Sequence, residues 1–284
     1  MKKITTLILV LTVSISMFAD VSKAEKNALV KLYNATNGNE WTRQWDLNAP
    51  VSSWYGVVLE NDKVVALNLS KNNLNGYLPA EISKLKYLQD LNLFKNEISG
   101  KIPSSLGKLK YLKNLNLSFN KFSGSIPTSI CDINSLETLE LYMNRISGTL
   151  PPELGNLKNL KTLSLYNNEI TGEIPMSIYG MNSLEALILS SNKLSGKLSF
   201  EVANLTSLKN LSLFENNFEG QVPLDLENLN KLSEMNISYN KFTGLVTKKL
   251  AQLDTLNMTM LDANGEEIVM TIAPETNERI ASEE

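Results

Sequence analysis

Histidine is absent from this 284-residue chain, and cysteine occurs once, at Cys131. Without imidazole, Ser-His-Asp and Cys-His nucleophile systems cannot be built, nor can zinc or iron sites that depend on histidine. A single cysteine excludes an intrachain disulfide. Cys131 takes a helical-turn position that Gly107 and Gly155 hold elsewhere. That suits a small, partly buried thiol better than an intermolecular link. Charge of one sign is also lacking: 27 Lys and Arg stand against 30 Asp and Glu, a net charge of −3. This gives no electrostatic case for nucleic acid. There is no P-loop and no G-x-G-x-x-G, so nothing points to a cofactor. Past residue 18 no apolar run is long enough to span a membrane. Carboxylates are plentiful, and Glu140 and Glu169 are expected on neighbouring strands, a pair of the kind glycosidases use. Nothing else suggests a cleft that excludes water, so the chain reads as a non-enzyme.

What is present is a period. Asparagine recurs every 24 residues, at Asn72, Asn96, Asn120, Asn144, Asn168, Asn192, Asn216 and Asn240. A glycine follows each four residues later, from Gly76 to Gly244. A fixed period in this range means a stacked array of one repeated unit. In the second unit Leu88, Leu91, Leu93 and Asn96 form L-x-x-L-x-L-x-x-N, continued by Ile98, Gly100, Ile102, Pro103, Leu106 and Leu109. Alternation over 90–94 predicts a short strand with Leu91 and Leu93 inward. Residues 104–109 fit a short helical turn on the opposite side. The asparagine amide, with both donor and acceptor, can satisfy backbone groups of its own turn and of the neighbouring unit. Glycine suits a crowded position or one with positive φ.

These motifs resemble the leucine-rich repeat family, and the L-x-G-x-I-P element resembles its plant-type subclass as found in secreted bacterial proteins. The resemblance runs from residue 64 to about 253 and implies an α/β fold. A right-handed solenoid is expected, with a parallel β-sheet on its concave face and short helical turns on its convex face. Ser199 and Thr247 replace the expected proline in two units. The cysteines that flank the cap motif in plant receptors are replaced by Ser52 and Leu59.

The division expected is a signal peptide at 1–19, a helical Trp-rich cap at 20–63, eight repeats at 64–255, and a degenerate closing repeat with a tail at 256–284. Lys2 and Lys3 before the apolar run 4–18 give the leader its form, with cleavage after Ala19 or Ala24. Apolar residues at 21, 24, 28, 29, 32 and 33 mark one helical face, with Ser22 and Glu25 as a capping box. Trp41, Trp45 and Trp54 follow; the end of a solenoid needs a cover, and large aromatics serve as core. The implied location is secreted or periplasmic, with no membrane span.

On the concave face, residues between the inward leucines point outward. Aromatic and thioether side chains gather there: Phe94, Phe119, Tyr142, Met143, Tyr166, Phe214 and Tyr239. With strands about 4.8 Å apart, this stripe would run roughly 30 Å. Glu140 and Arg145 flank its middle, and Glu97, Lys121, Glu169 and Lys193 alternate along a charged rim. Exposed aromatics in a row are a binding signal. The function expected is a non-catalytic, monomeric recognition module for a protein or peptide, with a glycan stacked on the same rings as the alternative. Lys84, Lys86, Lys108 and Lys110 make the early convex face basic.

Overall fold

Each 24-residue unit turns once and lays a three-residue strand beside the previous one, as Leu91 beside Leu115 shows. The computed structural model describes residues 21–254, 256 and 258–273. The expected leader, its cleavage point after Ala19 and residues 274–284 of the expected tail lie outside them; the alternative point, Ala24, lies in the helix Lys23–Ala35. Strand Asp90–Asn92 is two residues shorter than its alternation suggests. The chain turns left-handed at Lys95, with φ of 54°. The same turn recurs before every ladder asparagine, at Lys71, Phe119, Met143, Asn167, Ser191, Glu215 and Tyr239. Side chains with a Cβ meet a steric penalty there. Because every unit accepts it, the strain belongs to the fold and not to one site.

Eight such strands, Lys63–Asn68 to Glu234–Asn236, are parallel and in register. A ninth, Val57–Glu60, closes the amino-terminal edge antiparallel to Lys63–Asn68. Its turn is tight, with Asn61 and Asp62 both at positive φ, the chemistry of a two-residue hairpin.

A second parallel sheet was not expected. Its eight strands run from Asn75–Tyr77 to Lys241–Thr243, just past each ladder asparagine. Glycine sits inside these strands with φ near 80°, as at Gly100 and Gly148. A Cβ at Gly100 would meet nothing within 4 Å, so φ and not crowding selects glycine there. At Gly76 both apply: φ is 139°, and a Cβ would lie 2.1 Å from the Ala35 carbonyl oxygen.

The convex side carries five-residue 3₁₀ turns, such as Ser104–Lys108 after Pro103. Where proline is missing, the substitute caps the turn. Ser199 accepts a hydrogen bond from the Glu201 N–H at 3.2 Å. Thr247 accepts from Leu250 N–H at 3.2 Å and starts a short α-helix, Lys248–Ala251.

One hydrophobic core runs from Val21 to Met270. At the amino end, helix α1 (Lys23–Ala35) has Ser22 as N-cap, bonded reciprocally with Glu25. Glu25 is buried and also accepts the Val64 N–H at 3.2 Å, joining helix to first strand. Trp41, Trp45 and Trp54 are buried, with Trp45 and Trp54 stacked at 4.8 Å. Each indole N–H donates to a backbone carbonyl at 2.9 Å, so the trio is core, satisfied at its polar atoms.

At the other end, the segment expected to be a degenerate repeat is an antiparallel hairpin. Thr259–Leu261 pairs with Glu267–Val269, and Asn264 sits exposed in the turn instead of in the ladder. Buried Asp254 takes over there. Its carboxylate accepts the Ile237 N–H at 2.8 Å and the Ser238 hydroxyl at 3.0 Å. The Ile237 N–H is a group that a further strand would otherwise engage, as the Asn236 carbonyl engages the Leu213 N–H.

Candidate functional site

The left-handed turn decides what the concave face displays. The residue two before each ladder asparagine follows the three-residue strand by two places, and the left-handed turn adds the residue one before. Phe94, Tyr142 and Tyr166 hold the first position, Phe119 and Met143 the second. The rings touch in sequence. Phe94 and Phe119 meet edge to face at 5.9 Å, Phe94 and Tyr142 are 6.2 Å apart, and Tyr142 stacks on Tyr166 at 4.7 Å and 11°. Phe94 reaches Tyr142 across the intervening unit because that unit carries only Ser118. The Ser118 side chain is fully buried.

The stripe is not continuous. Ser190 and Ser191 interrupt it; Ser190 shares a hydroxyl contact of 2.6 Å with Ser212, and Ser191 donates to Glu215. Phe214 and Tyr239 form a separate pair at 5.3 Å. The Tyr239 hydroxyl donates to Glu267 at 2.8 Å. That bond and the carboxylate charge raise its pKa.

Glu140 sits at the middle of the first cluster, half-buried, accepting from the Asn116 amide. Burial pushes its carboxyl above the ordinary carboxylate range. Tyr142 is also raised, first by burial, then by the Glu140 charge and by Tyr166. Arg145 is not part of this face: it opens strand Arg145–Thr149 of the second sheet and is exposed. Glu169 likewise opens a second-sheet strand, Glu169–Gly172, and faces Lys193 at 3.6 Å. Glu140 and Glu169 therefore lie in different sheets and not on neighbouring strands of one. Glu97 and Lys121 do pair along the rim.

Two lysines hold the position one before the ladder asparagine and were not among the site residues expected. Lys71 and Lys95 lie over the rings of Phe94 and Phe119, at 5.8 and 5.7 Å. They put positive charge at the amino-terminal end of the aromatic cluster. Register places them on the face; the ring contacts come from the fold. Among the described residues no group of three metal-ligating side chains occurs, and no helix is long and apolar enough to cross a membrane. Cys131 is buried.

The sequence profile described as "Leucine Rich Repeat" matches residues 63–85, 87–109 and 111–133, and one described as "Leucine-rich repeat region" matches 141–270. Polygalacturonase inhibitor 1 of Arabidopsis thaliana is 32% identical over 71 residues, 24% of this chain and 22% of that protein. The ectodomain of the Arabidopsis receptor kinase HAESA, solved with an extended IDA peptide hormone ligand, superposes with a TM-score of 0.73 at 28% identity. That match covers 81% of this chain and 39% of the receptor chain. A plant ice-binding protein superposes with a TM-score of 0.74 at 27% identity, over 86% of this chain and 79% of its own.

Proposed function

This chain belongs to the leucine-rich repeat proteins, and from that premise we propose that it is a non-catalytic recognition module for a peptide, or for a peptide segment of a protein. In this reading the leader exports it and it acts as a monomer. The observation that carries the proposal is the ring-to-ring contact over four successive units, Phe119 to Phe94 to Tyr142 to Tyr166. Such clusters offer rigid contact area at little entropic cost, and polar groups around aromatic anchors are what binding hot spots share.

The charges give the ligand a direction. Lys71 and Lys95 favour an acidic end near the first cap. Glu140, held half-buried, favours a donor above the centre of the cluster. Tyr142 and Tyr166 take an apolar or aromatic side chain. The peptide ligand of the HAESA structure supports this reading by analogy of fold, which names a class of ligand and no particular one.

Panning a random peptide display library on the immobilised protein tests the proposal. Peptides with an aromatic residue and an acidic end should be enriched. Tyr142→Ala with Tyr166→Ala should weaken them at least tenfold by calorimetry, with the circular dichroism unchanged. Equal affinity for the double variant would move the site off the concave face. A neutral glycan lost on the same double variant would favour the sugar-stacking alternative.

A further inference from the structure

We propose a second ligand site, for an anionic polysaccharide built of uronic acids, on the flank of the first three units. It lies where each convex turn passes into the concave strand, away from the aromatic cluster. In most later units this register holds a small polar residue: Ser135, Asn159, Ser183 and Ser207. Ser135 and Asn159 have a structural task there, donating to the Lys110, Leu112 and Asn134 carbonyls of the preceding unit. The first units carry Tyr87 and Tyr111 instead. They are 44% and 57% exposed and stack on each other at 5.7 Å. Two large rings left in water without a task in the ladder mark an interaction surface.

Lysines surround the pair. Lys63 lies over the Tyr87 ring at 5.5 Å. Tyr111 forms a ridge between two open hollows. One, of about 390 Å³, is lined by Glu60, Lys63, Tyr87 and Tyr111 among others. The other, of about 270 Å³, is lined by Ser83, Lys84, Lys86, Lys108, Lys110 and Tyr111. Glu60 is the single carboxylate lining either hollow.

Further along the flank the charge cancels. Lys161 bonds Glu137 at 2.6 Å, and Lys209 bonds Glu185 at 2.6 Å. Among the described residues Lys84, Lys86 and Lys108 belong to no ion pair. Lys84, Lys86 and Lys108 thus gather uncompensated charge beside the tyrosines, in a protein whose net charge is −3. A local positive field of that kind draws an anionic partner.

The rings select the kind of anion. Single-stranded nucleic acid needs successive stacking platforms for successive bases. Here Tyr87 is already engaged by Tyr111 and Lys63, leaving Tyr111 as the one free stacking surface. One sugar face on Tyr111, with carboxylates toward the lysines of the second hollow and hydroxyls toward Glu60 and Lys63 of the first, suits the groups present.

Calorimetry at low salt with the full-length protein would test this, using alginate as the polyuronate probe. Dextran, poly-L-glutamate and oligo(dT) are the comparisons. Alginate should bind, dextran should not, and the two other polyanions should bind at least tenfold more weakly. Tyr111→Ser, which installs the residue found at 135, should weaken alginate at least tenfold and leave its salt dependence unchanged. Lys84→Gln with Lys86→Gln and Lys108→Gln should flatten the salt dependence. Tyr142→Ala with Tyr166→Ala should change nothing, so failure here and failure of the concave reading are separable. No alginate binding, equal binding of poly-L-glutamate or oligo(dT), an unaffected Tyr111→Ser, or loss on the concave variant alone would each overturn the site.

Discussion

The side-chain oxygen of Asn96 accepts the backbone N–H of Asn72 at 3.0 Å, so one ladder asparagine holds the backbone of the one before it. The same oxygen accepts the Leu74 N–H at 3.0 Å. Its amide nitrogen donates to the carbonyls of Leu69 and Leu93, both at 2.9 Å. One buried amide therefore closes its own turn and staples two units together.

Asn96→Ala leaves these buried groups unpaired and should cost about 1–3 kcal/mol. Lys193→Ala, on the exposed rim, should change stability by under about 0.5 kcal/mol. Urea melts of the two variants would check this, and equal losses would contradict the inward and outward assignment.

Glu25 carries a comparable duty at the amino end, because it bonds both the Ser22 hydroxyl and the Val64 N–H. Glu25→Ala should lower stability by about 1–3 kcal/mol, with loss at the first unit before the rest. Glu25→Gln keeps an acceptor for Val64 and should cost less. Hydrogen exchange at Val64 would show the difference, and identical protection in both variants would refute the role.

The ladder, the strands, the turns and the capping box were legible because each repeats a fixed residue type at a fixed spacing, or follows a local rule. The second sheet was not. Its strand Glu97–Lys101 buries only Ile98 among polar residues and glycine, so no alternation shows, and it pairs with the neighbouring units, as Ser99 with Lys121. The aromatic residues could be named from sequence, but their contacts could not. Phe94 reaches Tyr142 only because Ser118 leaves the gap. Tyr87, Tyr111 and Asp254 belong to no motif in the sequence, and only folding sets each against its partners.

Burial pushes the Cys131 thiol from its ordinary 9.0 up to about 12, helped by the charges of Glu153 and Asp132. A raised pKa in the fold means that the unfolded chain ionises first. The stability that the neutral thiol contributes is complete below pH 9.0 and is lost as pH rises toward about 12. The slope approaches about 1.4 kcal/mol per pH unit for one proton. Tyr179, also pushed up to about 12 by burial, adds to it at the upper end. Cys131→Ala should flatten the alkaline fall in stability, measured by urea melts across that range. A native protein that reacts quickly with a thiol reagent near neutral pH would contradict the burial behind the argument.

Glu140 titrates in the opposite sense to a salt-bridged carboxylate. Burial raises its pKa, so the fold favours the protonated form. That contribution is complete below the ordinary carboxylate range and is lost as pH rises through the folded value. At neutral pH the group is ionised at a partial desolvation penalty, offset in part by the Asn116 amide. Glu140→Gln keeps an acceptor for Asn116 and removes the charge. It should therefore be neutral to stabilising by up to about 1 kcal/mol at neutral pH, with no gain in acid. It should also lower the pKa of Tyr142, which the Glu140 charge helps to raise, visible as earlier tyrosinate absorbance in an alkaline titration. If Glu140 is held for a donor on the ligand, the same substitution weakens the peptides selected on the concave face without harming the fold. A variant that is less stable at neutral pH would show that Glu140 serves the structure and not the ligand.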